Sequence, residues 1–376
     1  MSRYEEFHRQ SIDAPEAFWA EQARLIDWQS PPQQILDASQ PPFARWFVGG
    51  TTNLCHNAVD RHLAERGDQP ALIFVSTETG TEKSYSFREL HAEVQRTAAS
   101  LIDLGVGRGD RVLIYMPMIP EAAFAMLACA RIGAIHCVVF GGFASGSLAT
   151  RIEDAEPKVV VSADAGSRGG KVIAYKPLLD EAIRLSKHKP DAVLLTDRGL
   201  APMALVAGRD HLASELRQKH LDAQVPCTWL ESTEISYTIY TSGTTGKPKG
   251  VQRDVGGYAV ALAASMKHIF DGRPGETYFS TSDIGWVVGH SYIVYGPLIA
   301  GMATVMYEGL PTQGLDGQPD GGIWWRLVEK YKVAVMFSAP TAVRVLKKQD
   351  PALLKTYDLS TSVSYTHLTL PTILLV

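Results

Sequence analysis

The chain has 376 residues, 36 basic and 40 acidic side chains giving a net charge of −4, and 45% apolar residues. It is too apolar for a disordered polymer and long enough for two or three domains, or one large domain with an extension. The near balance of charge supplies no global attraction to nucleic acid or to an anionic membrane. The opening MSRYEEFHRQ is polar and lacks the apolar core of a secretory signal. Asp13 and Glu16 bracket Ala14 and Pro15 as a helix-start signal, and Phe18, Leu25, Ile26 and Trp28 predict an amphipathic helix after it. The pairs Pro31-Pro32 and Pro41-Pro42 predict an extended, irregular connection.

From there β and α signals alternate. Apolar, β-branched runs predict strands over 111–116, 136–140, 159–162 and 192–196, with helices over 121–132 and 147–154. A strand over 235–240, a helix over 258–270 and strands over 277–281, 303–307 and 333–337 follow. The pattern predicts an α/β fold of mostly parallel sheets flanked by helices. Residues 309–322, rich in Gly, Pro, Asp and Gln, predict an exposed loop. No apolar run reaches the ~18 residues that span a bilayer. Cys55, Cys129, Cys137 and Cys227 form no CxxC pair and no zinc-ligand spacing, so no metal ligand is assigned. They predict buried free thiols in a reducing compartment, and hence a soluble cytoplasmic protein.

Three segments carry chemistry. The strand over 235–240 runs into TSGTTGKPKG, residues 241–250. Glycines there let backbone approach a ligand, hydroxyls and N–H groups donate to phosphate oxygens, and Lys247 and Lys249 add charge. The segment has the parts for a polyphosphate cradle; it also has the composition of a surface loop with solvated lysines. It is not a Walker A loop, because Pro248 stands where that motif requires Ser or Thr. In Arg168-Gly169-Gly170-Lys171, two cations flank two glycines after a predicted strand, which suits either a phosphate or an ordinary basic turn. In Trp286-Val287-Val288-Gly289-His290 the valines, read alone, suit a core strand.

Together these segments resemble the acyl-adenylate-forming enzymes. TSGTTGKPKG is similar to their phosphate-loop signature. VVFGGFASGSLATRI (138–152), SADAGSRGGK (162–171), SDIGWVVGHSYIVYGPL (282–298) and FSAPTAVRVLKK (337–348) are similar to the acetyl-CoA and propionyl-CoA synthetase branch. PPFARWF (41–47), KGVQRDVGGYAVALA (249–263) and YEGLPT (307–312) make the propionyl-CoA synthetases the nearer likeness. The resemblance runs from about Tyr4 to about Ser360. It implies an N-terminal extension over 1–57 and part of an adenylation domain over 58–360, with 361–376 a non-native tail.

The resemblance implies an AMP-forming ligase for ATP, coenzyme A and propionate or acetate, with Mg²⁺. Thr241, Ser242, Gly243, Thr244, Thr245, Gly246, Lys247 and Lys249 then fall on the β- and γ-phosphates. Arg168, Gly169, Gly170 and Lys171 fall on the 3′-phospho-ADP end of coenzyme A. Phe140 falls beside its adenine, unless it is a plain strand aromatic. Thr312 and Ala339 fall on further coenzyme contacts. Trp286 walls the tunnel, and Val287 and Val288 touch the acyl chain. Val288 replaces a Thr common in acetyl-specific relatives. His290 is read as a helix-start hydrogen-bonding residue. The catalytic residues stay unknown. The expected Gly-Glu-Pro turn, Trp-Gln-Thr-Glu-type motif, ribose-binding Asp and mobile lysine-bearing C-terminal lid have no match, so the chain is expected to be truncated and inactive alone. The rival readings are an acetyl-CoA synthetase and a nucleotide- or coenzyme-binding module without catalysis.

Overall fold

Two large sheets organise the chain, and their inner strands are built from runs too apolar to face water, whereas the edge strands Thr81–Ser86 and Lys249–Asp254 are polar and largely exposed. The structure, a computed structural model, describes residues 3–241 and 248–362. The seven-stranded sheet runs in the spatial order Asp210–Leu212, Ala192–Thr196, Val159–Ala163, Arg111–Tyr115, Ile135–Val139, Ile235–Thr241, Lys249–Asp254. All neighbours are parallel except the last pair. The central strands are buried on both faces, as parallel strands covered by helices must be. The five-stranded sheet runs Val333–Phe337, Thr277–Ser280, Ala303–Glu308, Pro70–Ser76, Thr81–Ser86, again parallel but for its last pair.

The helices between them start and stop for local reasons. Phe87–Asp103 opens with a capping box: Glu89 N donates to Ser86 Oγ (3.2 Å), and Ser86 N donates to Glu89 Oε2 (2.8 Å). Pro120–Ile132 places proline at its first position, where no N–H is needed, and ends on Gly133 at φ 74°. Its buried residues run almost without break from Pro120 to Ile132, so it is an internal helix rather than a surface one. No helix among the described residues is long and apolar enough to cross a membrane.

The first segment differs from its sequence reading. Asp13 is the last residue of a helix, Arg3–Asp13, and caps nothing; Ala14 precedes the next helix, Pro15–Gln22. Ala14 N donates to Gln10 O, so the two helices nearly run together. Leu25 falls in a short 3₁₀ turn, with Ile26 and Trp28 beyond it. The proline-rich connection is a β-hairpin, Gln34–Gln40 with Phe43–Val48, whose turn is Pro41-Pro42. Proline is poor within a central strand but suits a turn between two-stranded edges.

This segment is fastened to the rest. Asn53 Nδ2 donates to Ala130 O (2.7 Å) and Thr228 O (2.8 Å), and Gly49 N donates to Glu231 Oε1 (2.9 Å). Thr51–Thr52 pairs antiparallel with Leu230–Glu231. Residues 309–322 are a loop as expected, but exposed only at its tip: Gln313 is buried and donates to Thr77 O (3.2 Å). The expected departure from the family pattern after Ser360 lies, from residue 363 on, outside the described residues.

Candidate functional site

A cavity of about 680 Å³ opens where the carboxyl ends of the two sheets face each other. In open α/β sheets this is the ordinary place for a ligand, because strands end there and loops diverge. Met116–Met118 enter it after Arg111–Tyr115, Phe140 after Ile135–Val139, and Trp286 after Thr277–Ser280. Glu308 enters at the end of Ala303–Glu308, and Ala339 after Val333–Phe337. Arg168 enters from the hairpin Ala165–Arg168 and Lys171–Ala174, which follows Val159–Ala163. Of the residues assigned from sequence, Phe140, Arg168, Trp286 and Ala339 therefore share one cavity.

The mouth is aromatic. Phe140 and Trp286 have ring centroids 5.7 Å apart, and Trp286 is 49% exposed, so part of its ring stays open to a ligand. The turn behind Trp286 is tight. Gly285 N donates to Asp283 Oδ1 (2.7 Å), and His290 Nδ1 donates to the Trp286 carbonyl (3.2 Å). Burial holds the His290 imidazole down at about 4, so it is neutral near pH 7. His290 is fully buried and opens a π-helical turn, His290–Tyr295, which agrees with a helix-start hydrogen-bonding residue. Val287 is 42% exposed and Val288 half-buried; neither lines the cavity. Burial pushes the Asp283 carboxyl up, against the Gly285 N–H and the Arg168 charge, so the cavity wall carries one reluctant acid.

The two sheets are locked together beside this cavity. Asp164, fully buried, accepts from Arg198 N (3.1 Å), Leu200 N (2.7 Å) and Ala201 N (3.1 Å). That fixes Arg198, whose guanidinium donates to both oxygens of Glu308 (2.9 and 2.7 Å). Ser76 Oγ donates to the same carboxylate (2.7 Å). A pair so buried is held by geometry and hydrogen bonds rather than by charge alone.

Sequence reasoning missed Glu78. Gly169 and Gly170 turn the hairpin at φ 61° and 74°, conformations that favour glycine. Their N–H groups donate to Glu78 Oε1 (2.6 Å) and Oε2 (2.9 Å), and Ser167 Oγ donates to Oε2 (2.6 Å). The turn is thus an anion nest with a carboxylate in it, and that carboxylate orients the hairpin that carries Arg168. Nothing local marks Glu78, since it lies on the turn between two other strands, far away in sequence. Glu78→Ala is expected to cost about 1–3 kcal/mol, as loss of charge-assisted hydrogen bonds does. Amide exchange at Gly169 and Gly170 should quicken more than in the adjoining strands, and exchange mass spectrometry reads it.

Lys171 is exposed, and Thr312 is half-buried next to the cavity residue Pro311 without lining the cavity. Thr241 and Lys249 are register partners at the mouth of the last hairpin of the large sheet. Ser242, Gly243, Thr244, Thr245, Gly246 and Lys247 lie outside the described residues. Among the described residues, Cys55, Asp60 and Cys227 make the one group with metal-ligand atoms within 4.8 Å of one another, and none of them lines the cavity.

Residues 4–58 match the acetyl-coenzyme A synthetase N-terminus, and residues 59–369 match the family described as AMP-binding enzyme. The chain is 64% identical over 357 residues to the Propionate–CoA ligase of Salmonella typhimurium, covering 95% of the chain and 56% of that protein. The Propionate–CoA ligase of Escherichia coli matches with the same identity and coverage. The Acyl-CoA synthetase short-chain family member 3, mitochondrial, of Mus musculus is 47% identical, covering 93% of the chain and 51% of that protein. The chain therefore spans little more than half the length of these relatives. With most of its residues under one family match and its cavity at the carboxyl ends of parallel strands, the chain belongs to the AMP-binding enzyme family.

Proposed function

We propose that this chain is the N-terminal part of an AMP-forming short-chain acyl-CoA synthetase that acts on propionate in the cytoplasm. The observation that carries the reading is the convergence of Phe140, Arg168, Trp286 and Ala339, from four separate segments, on one cavity. The relatives named Propionate–CoA ligase support the choice of acid. A propionate carboxylate attacks the α-phosphate of ATP, forming propionyl-adenylate and releasing pyrophosphate. The coenzyme A sulfur then attacks the acyl carbon, and AMP leaves.

The first step joins two anions, so the protein's task is to neutralise and align phosphates. Thr241, the loop after it and Lys249 supply hydroxyls, N–H groups and cations for the β- and γ-phosphates. Arg168 and Lys171 hold the 3′-phosphate of coenzyme A at the hairpin that Glu78 orients, and Phe140 packs on its adenine. Trp286 walls the path of the pantetheine arm. Val287 and Val288, which follow Trp286 in the chain, are assigned to the acyl chain, and Val288 contributes an apolar surface there. One buried CH₂ is worth about 0.8 kcal/mol, so preference for propionate over acetate is modest.

Mg²⁺ enters as part of the MgATP substrate. The cavity's own carboxylates do not fit a magnesium site: Glu308 is taken by Arg198 and Ser76, and Asp283 by Gly285.

The test uses the longer protein that contains this chain. AMP release should depend on propionate and coenzyme A together. Lys247→Ala should lower kcat/KM for ATP in adenylation about tenfold to hundredfold, the value of a lost charge-assisted contact of roughly 1.5–3 kcal/mol. Thioester formation from preformed propionyl-adenylate should change far less, because pyrophosphate has already left. Equal losses in both half-reactions would make Lys247 a structural residue, and absence of propionate-dependent AMP release would overturn the reading.

A further inference from the structure

Two thiols meet at the junction between the first segment and the main domain, away from the cavity. Cys55 lies in the short helix Leu54–Ala58, and Cys227 lies three residues before Leu230–Glu231. The antiparallel register Leu230↔Thr52 places the two cysteines at matching offsets from one pairing. The bond from Asn53 Nδ2 to Thr228 O (2.8 Å) and that from Thr228 N to Arg131 O (2.7 Å) hold the two backbones side by side. The sulfurs and an oxygen of Asp60 all lie within 4.8 Å of one another. Closing the sulfurs to the ~2.05 Å of a disulfide requires the two side chains to rotate toward each other.

The surroundings favour a dithiol over a metal site. Both Asp60 oxygens are already taken by the Arg131 guanidinium (2.8 and 2.9 Å), whose charge would also oppose a cation. Arg131 Nη1 lies 3.5 Å from Cys55 Sγ, and Cys55 Sγ points its hydrogen toward Asp60 Oδ2 (3.9 Å). The two thiols differ in access: Cys55 is fully buried, whereas Cys227 is half-buried.

We propose that Cys55 and Cys227 form an oxidation site that hydroperoxides convert to an intrachain disulfide, fastening the first segment to the strand that leads toward the phosphate loop. Cys227 reacts first. Its thiolate sulfur attacks the peroxide oxygen, the O–O bond breaks, and Cys227 becomes a sulfenic acid as hydroxide departs and is protonated. The Cys55 sulfur then attacks the Cys227 sulfur. The S–O bond breaks, and the hydroxide leaves with the Cys55 proton as water. Two thiols lose two electrons in all, and one hydrogen peroxide becomes two waters. Cys55 suits the second role by position: it is fully buried, so peroxide from solvent meets the half-buried Cys227 first, and the sulfenic acid then forms beside Cys55.

The test treats the whole reduced chain with one equivalent of hydrogen peroxide, then alkylates it under denaturing conditions and maps its peptides. The expected result is a loss of two hydrogens, a linked peptide joining Cys55 to Cys227, and full reversal by dithiothreitol. Cys227→Ser, at a half-buried position that tolerates the change, should neither lose hydrogens nor link. Cys55→Ser should stop at a Cys227 sulfenic acid that dimedone traps. Oxygen uptake at Cys227 with Cys55 still free to alkylate would overturn the proposal. So would a link confined to Cys129 and Cys137.

Discussion

Arg131→Ala is expected to cost about 3–5 kcal/mol of folding free energy, because removing one partner of a buried ion pair leaves the other charge uncompensated. Arg131 is 3% exposed and donates to both oxygens of Asp60, while its Nε donates to Val225 O (2.5 Å). One guanidinium thus joins the internal helix Pro120–Ile132, the turn after Leu54–Ala58 and the chain before Leu230. Urea melts of wild type and variant read the loss. The double variant Arg131→Met with Asp60→Leu should recover much of it, since an apolar pair of similar volume needs no compensation. A single variant within about 1 kcal/mol of wild type would rank the pair with surface bridges.

The same pair sets an acid sensitivity. Burial alone would raise the Asp60 carboxyl, but the hydrogen bonds from His91 and Arg131 overrule it and hold it well below the usual range. A group whose folded value is depressed adds stability above its unfolded value, about 3.9 for Asp, and that stability fades as pH falls toward the folded value. Between pH 6 and pH 3 the wild type should therefore lose more stability than Arg131→Ala, in which much of the depression is gone.

Gly289→Ala is expected to cost about 3 kcal/mol or more and to displace Trp286 from the cavity mouth. A methyl there would sit 2.0 Å from the Asp283 carbonyl oxygen and 2.4 Å from its carbon, and backbone cannot swing away as a flexible side chain can. Gly285 is similarly confined, its added methyl meeting Phe140 Cα at 2.7 Å. Both glycines are needed for space, so that the turn 283–289 folds against the strand end that carries Phe140. Gly146→Ala is the control: nothing lies within 4 Å of its added methyl, and it sits in the helix Ser145–Ala155. It should gain about 0.5–1 kcal/mol. Thermal melts and coenzyme A titrations of the two variants should diverge in sign for stability and show weakened binding only for Gly289→Ala.

The strands were readable because fully buried parallel strands are continuous β-branched runs: Val159–Ala163 and Ala192–Thr196 announce themselves without any partner. The hairpin at Pro41-Pro42 was hidden because proline pairs read as irregular chain, and only tertiary pairing shows the turn. Asp13 misled because an acid before proline looks like a cap whether or not a helix already precedes it. At the site, Arg168 and Trp286 were singled out through the family resemblance of their segments, and both line the cavity; the local pattern alone suited a basic turn or a core strand equally. Glu78 could not be found, because its partners lie about ninety positions on, and no local pattern encodes a carboxylate aimed at a distant turn. The alternation of strand and helix located the cavity only in outline. That Val287, Val288 and Thr312 all fall outside its lining depends on turn geometry that composition does not carry.

Much of the cavity wall comes from segments at or beyond strand ends, while Asp164 and Arg198 lock the strands, and Glu308, itself in the wall, closes that lock. Recognition and architecture thereby meet at Glu308 and are otherwise encoded in different stretches of the gene. Variation in the wall segments can retune ligand choice over generations without eroding the scaffold, whereas drift in the lock would be purged whatever the ligand. The fold is in this sense preadapted to diversify, and grafting the wall segments of one relative onto the strands of another becomes a rational route to new ligand specificity.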